Sequence, residues 1–159
     1  MNNQQNICDE LIRIGILLYS EIKLQPLLEK ILDASMQITH CEGGSIYIKE
    51  QDSLRFYVSR NIALENGQIA WSDKTLPIDE RSLAGYVALK GLILNIADAY
   101  DIQEAPVQFN LSFDQEHHYR TRSVLMLPFK DSEQQIIGVL QLINAKNSQE
   151  EVISFKEED

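Results

Sequence analysis

The chain has 159 residues, 44% apolar and 24% charged, enough for one domain with a buried core and not comfortably enough for two. Its 14 Lys and Arg against 24 Asp and Glu give a formal charge of −10, which argues against bulk electrostatic binding to nucleic acid or to an anionic membrane. Cys8 and Cys41 suggest neither a metal site nor a disulfide framework, no apolar run approaches the roughly 18 residues of a membrane span, and MNNQQNICDE is no secretory leader, so a cytoplasmic setting without membrane insertion is expected.

Ile7, Leu11, Ile14, Leu18 and Ile22 recur at spacings of three and four, which predicts a helix over 6–22. Leu24, Leu27, Leu28, Ile31, Leu32, Met36 and Ile38 predict a second helix over 24–39, with Pro26 in its first turn, where a missing N–H costs nothing. Glu42-Gly43-Gly44 ends that pattern and the period changes to two. Ser45–Lys49 and Leu54–Ser59 then read as a hairpin. A loop from Asn61 to Lys74 leads to a short extended piece, Thr75–Ile78, which Pro77 confines to a sheet edge.

Ser82–Leu89 reads as a short helix closed by Lys90 and a left-handed Gly91, and Leu92–Ile96 as a strand. The stretch from Ala97 to Arg122 is long and polar, with at most two helical turns; loops of this length in compact domains are often functional. Ser123–Lys130 and Gln135–Asn144 form a second hairpin, apolar on both faces, so both faces of the sheet are covered. A last helix is expected to begin near Ser148 and to be cut short within 148–159, as in a domain taken from a longer protein. The order of elements gives an α+β domain with an antiparallel sheet.

Several stretches together resemble one family. They are Gly44-Ser45-Ile46-Tyr47, Leu76-Pro77 with Ser82 to Ala88, Leu94 to Tyr100, Tyr119 to Ser123, and Ile137 to Asn144. From about Leu11 to Asp159 the chain is similar to a GAF domain, the small-molecule sensor module of signalling proteins, of the branch found in cyclic-nucleotide phosphodiesterases and bacterial cyclases. The resemblance implies a single domain over 1–159, with a sheet of about six strands flanked by helices on both faces. It implies a non-catalytic regulatory role: binding a cyclic purine nucleotide, cAMP ahead of cGMP, and controlling an attached output domain such as a nucleotide cyclase, diguanylate cyclase or phosphodiesterase. The branch also carries Asn-Lys, a spacer, then Phe-x-x-x-Asp-Glu. Asn144, Phe155 and Asp159 fit; Ala145 stands where Lys is expected, with Lys146 one position late, and the final Glu is missing. In the family the Lys–Asp pair is understood as a clamp near the pocket.

Ligand chemistry is expected at several positions. Ser82-Leu83-Ala84-Gly85 opens a helix, whose free N–H groups attract phosphate; packing by small residues explains Leu83, Ala84 and Gly85 equally. Arg60 suits a phosphate oxygen, and Ser59 or Asn61 a purine edge, unless they form a solvated strand end. Gln141 interrupts the most apolar strand and either reads a base or is satisfied by a neighbouring group. Tyr119, Thr121 and Ser123 share one face of an extended piece, with Arg120 and Arg122 on the other. The resemblance turns Thr121 toward the ligand, adds Ser45, and makes the loop with Asp98, Asn110, Asp114 and His117 a polar lid. Tyr47, Phe109, Phe113 and Tyr119 supply aromatic walls or core packing.

Enzyme signatures are weak. His117-His118 side chains diverge, and neither a nucleophile triad nor a phosphate loop of Walker type is present. Some GAF proteins reduce methionine sulfoxide with cysteines, which Cys8 and Cys41 do not fit; a haem on His117 or a bilin on Cys41 are lesser alternatives, and no metal is expected. The stripe of Leu11, Ile14, Leu18 and Ile22 motivates a different alternative, an interaction module whose first 22 residues form a homodimer.

Overall fold

The computed structural model describes residues 24–64, 70–71 and 74–157, so the helix expected over 6–22 and the signature position Asp159 lie outside the described residues. The first described helix, α1, runs over 24–39. Leu28, Leu32 and Met36 fall on one stripe and are buried, the face that holds α1 on the sheet. His40, at φ 53°, ends the helix, and β1 (Cys41–Glu50) starts at once. Gly43 and Gly44 therefore belong to a strand rather than to a connection. A Cβ on Gly44 would lie 2.8 Å from the Gln141 carbonyl oxygen and 2.8 Å from Leu32 Cδ1, so the close passage of α1 over β1 requires glycine there.

A two-residue turn, Gln51-Asp52, joins β1 to β2 (Ser53–Asn61). The 61–74 connection contains a short strand, β3 (Ala70–Trp71), and β4 (Thr75–Pro77) follows it. Helix α2 (Leu83–Lys90) starts one residue later than expected, because Ser82 is its N-cap, with Oγ accepting from Gly85 N–H; Gly91 closes it at φ 66°, as expected. Then come β5 (Leu94–Ile96), α3 (Ser112–His117), β6 (Val124–Lys130), β7 (Ile136–Lys146) and β8 (Val152–Ile153). The sheet is antiparallel in the order β3-β2-β1-β7-β6-β5, with β4 added beside β2 and β8 beside β7.

No helix begins at Ser148. Asn147 Oδ1 accepts from the N–H of Gln149 (2.9 Å) and of Glu151 (3.0 Å), and Glu150 adopts φ 62°. An Asn side chain that takes up backbone donors in this way competes with helix formation. The chain reverses, and β8 pairs Val152 with Lys146 and Ile153 with Ala145.

Strand alternation splits the core into two layers. Leu54, Val87, Ile96, Val124, Met126, Val139 and Ile143 pack on the α2 side. Leu28, Leu32, Ile46, Val58, Leu125, Leu140, Leu142 and Phe155 pack on the α1 side. The α+β sheet with helices on both faces is thus the observed architecture.

Candidate ligand cavity

The middle strands carry a polar row on the α2 side. Ser45 pairs with Ser59 on one flank and with Gln141 on the other. These three residues, with Tyr47, Phe56, Asn61 and Ile143, line a cavity of about 590 Å³, within the range of small-molecule pockets. Arg81, Ser82, Leu83 and Ala84 at the start of α2 and Gln108, Phe109, Asn110, Phe113, His117 and Thr121 of the segment before β6 also line it. No helix among the described residues is long and apolar enough to cross a membrane, and none of their His, Cys, Asp and Glu side chains group as a metal site.

The polar row is partly self-satisfied. Tyr47 donates to Gln141 Oε1 at 3.4 Å, and burial pushes the Tyr47 phenol up to about 12, so it stays a neutral donor. Gln141 Nε2 remains to donate. Asn61 Oδ1 accepts from Ala63 N–H at 3.0 Å, and its buried Nδ2 faces the Tyr119 hydroxyl. At the start of α2 the N–H groups of Leu83 and Ala84 have no carbonyl partner within the helix. Arg81 stands immediately before that start, 79% exposed, paired with Asp79 at 2.6 Å.

Several expected ligand contacts lie elsewhere. Arg60 borders the cavity, but its guanidinium pairs with Asp33 of α1, on the opposite face of the sheet from Ser59 and Asn61. Gly85 is buried against the entering chain, where a Cβ would meet Pro77 O at 2.6 Å. Asp98 pairs with Arg120 at 3.2 Å on the surface. Asp114 is 2% exposed and sits behind the lining; it accepts from Thr121 N–H (2.7 Å), Thr121 Oγ1 (2.8 Å) and Tyr100 Oη (2.9 Å). The split of Thr121 from its neighbouring arginines is as expected: Thr121 is buried, while Arg120 and Arg122 are exposed.

Asn144 closes the wall from below. Its Oδ1 accepts from Arg122 N–H at 2.7 Å, and Nδ2 lies 2.7 Å from Tyr119 Oη, 2.9 Å from Arg120 O and 3.0 Å from Glu42 Oε2. Glu42 also accepts from Tyr119 Oη at 2.6 Å and pairs with Lys146 at 3.2 Å. Burial pushes the Glu42 carboxyl up, but the bonds from Tyr119, Asn144 and Lys146 outweigh it and hold the group below its ordinary range. Burial and the Glu42 bond push the Tyr119 phenol well up. Lys146, beside Glu42 and Glu150, is also pushed up. The signature residues therefore build the frame: Asn144 and Lys146 join this network, and Phe155 is buried in the α1-side core.

The family model that describes GAF domains matches residues 23–159. This chain belongs to the GAF domain family. The Drosophila melanogaster protein named dual 3',5'-cyclic-AMP and -GMP phosphodiesterase 11 is 29% identical over 142 residues, which cover 82% of this chain and 9% of that protein. The GAF domain thus spans about a tenth of the length of this relative. Among solved structures, a GAF domain of a Coxiella burnetii phosphoenolpyruvate-protein phosphotransferase superposes with a TM-score of 0.61 at 18% identity, covering 99% of this chain and 85% of that one. A free methionine-R-sulfoxide reductase of Thermoplasma acidophilum superposes at 0.54 and 13% identity, covering 85% and 80%. These two likenesses concern the GAF fold alone.

Proposed function

We propose that this GAF domain is a regulatory, non-catalytic sensor that binds a cyclic purine nucleotide, cAMP ahead of cGMP, and controls an attached signalling domain in the cytoplasm. The observation that carries the reading is the polar row Ser59-Ser45-Gln141 on the floor of the cavity. The floor offers hydrogen bonds to a flat base, and Tyr47, Phe56 and Phe109 supply apolar walls. Gln141 is the amide of this row, and its NH2 can donate to an acceptor nitrogen of a purine ring. The first N–H groups of α2, with Arg81 beside them, favour the cyclic phosphate. The phosphodiesterase relative, whose name includes both nucleotides, supports the same ligand class.

A catalytic thiol is disfavoured at Cys41. Its Sγ donates to Gly43 O at 3.4 Å, and burial pushes the thiol up, the reverse of an activated thiolate. Equilibrium titration with cAMP and cGMP tests the sensor reading. Saturable binding of cAMP supports it, and no binding of either nucleotide by about 100 μM overturns it.

Self-association is a second reading, favoured by Leu27 and Ile38 of α1, which are 53% and 78% exposed on one side of the helix. Light scattering tests it: a dimer supports the reading and a monomer at high concentration refutes it.

A further inference from the structure

We infer that Asp114 sets the hydrogen-bond polarity of Thr121, so that Thr121 offers a bound molecule lone pairs only and selects a ligand that donates at that point. The inference rests on reading the cavity as a small-molecule site. Thr121 lines the cavity and is 1% exposed. A hydroxyl has one proton to give, and that of Thr121 is committed inward, to Asp114 Oδ1 at 2.8 Å. Both partners are buried, so bulk water does not compete for the bond. The second oxygen of Asp114 is also occupied, by Thr121 N–H at 2.7 Å and Tyr100 Oη at 2.9 Å. A carboxylate only accepts, which removes any alternative orientation.

Gln141 has the opposite bias: its Oε1 already accepts from Tyr47, leaving its NH2 to donate. Thr121 is the acceptor that complements it. At the 6-position adenine carries an amine that donates and guanine an oxygen that accepts. A base that meets Thr121 with this position is therefore selected as adenine. Asp114 does this without touching the ligand, as a positioning residue.

Asp114→Asn tests the assignment because it keeps the shape and alters the proton inventory. Thr121 N–H cannot reverse, so the amide oxygen must face it, and the new NH2 must face Thr121 Oγ1. The hydroxyl then turns its proton into the cavity. In the unliganded protein, NMR should show the new side-chain amide protons protected from exchange and in nuclear Overhauser contact with the Thr121 methyl group. Amide protons directed at Thr121 N–H or the Tyr100 ring instead overturn the inference. In titrations, the ratio of cAMP to cGMP affinity should shift at least tenfold toward cGMP, and the shift should vanish when Thr121→Val is added. A ratio unchanged within twofold overturns it. If neither nucleotide binds the wild-type domain, the ligand reading fails by itself, and the amide orientation alone decides the role of Asp114. Should Asp114→Asn not fold, Thr121→Val decides: cAMP should weaken at least fivefold more than cGMP, and equal changes refute the inference.

Discussion

Replacing Asn144 by alanine should be among the most damaging single changes to this domain. The side chain is 1% exposed and stands at φ 56°. Its Nδ2 has two hydrogens for three acceptors within 3.0 Å, and its Oδ1 holds Arg122 N–H. Glu42 and Tyr119 keep each other after truncation, at 2.6 Å. Arg122 N–H and Arg120 C=O do not, and an unsatisfied buried backbone group costs about 1–3 kcal/mol. Alanine in the left-handed region adds roughly 1–2 kcal/mol. Allowing for partial relaxation, the loss should be roughly 3–5 kcal/mol, a large share of a domain's usual total. Urea unfolding measures it, and the melting temperature should fall by roughly 6–20 °C. Asn144→Gly separates the two causes: it loses the same bonds but tolerates the backbone, so it should be about 1 kcal/mol less harmful than alanine. Asn144→Asp keeps an acceptor for Arg122 N–H but sets a second carboxylate against Glu42, so its defect should ease as the pH falls. An alanine variant within about 1 kcal/mol of wild type would refute the account of this residue as the fastener of the cavity wall.

Gly44→Ala should destabilise by about 1–3 kcal/mol, since one of the atoms at 2.8 Å from the new Cβ is the Gln141 backbone oxygen, which cannot give way; chemical denaturation reads the loss, and a neutral result refutes the close packing of α1 on β1. Glu42→Gln should cost stability at neutral pH but progressively less in acid. The folded carboxyl lies below its ordinary value of 4.5, so its contribution is present above that pH and lost as the pH falls through the folded value; a wild-type-to-variant gap that stays constant from pH 7 to about pH 3 contradicts the network. Arg81→Ala should weaken nucleotide binding by about 1.5–3 kcal/mol with unfolding unchanged, whereas Arg60→Ala should affect unfolding first; calorimetric titration beside urea melts distinguishes them, and the reverse pattern would move the phosphate to β2.

The parts that could be read from sequence were those set by local periodicity and caps. The stripe of Leu28, Leu32 and Met36, the Ser82 cap and the left-handed Gly91 are each specified within a few residues. The start of β1 was not legible, because Gly43 and Gly44 carry no strand propensity and are required only by the passage of α1 overhead. The helix expected from Ser148 failed for a comparable reason: Asn147, just before it, takes the donors a helix would have used. In the cavity, Ser45, Ser59 and Gln141 could each be suspected, but their alignment depends on strand register, including the bulge between Ile46 and Tyr47. Arg60 carried a readable signal, since strand alternation sets it opposite Ser59 and Asn61. Arg81 carried one as well, by standing next to an N-cap. Nothing local could show that Asp114 lies behind Thr121, seven residues on, rather than facing the cavity.

Arg122 follows Thr121 directly and points the other way, and its Nη1 donates to Val152 O at 3.0 Å on β8. The peptide unit between the two residues is planar and stiff. The interior surface of the cavity and the last strand among the described residues are therefore linked through two consecutive residues. A shift of the Thr121 backbone displaces that of Arg122 with it, and the Arg122–Val152 bond ties the cavity wall to the β7–β8 pairing.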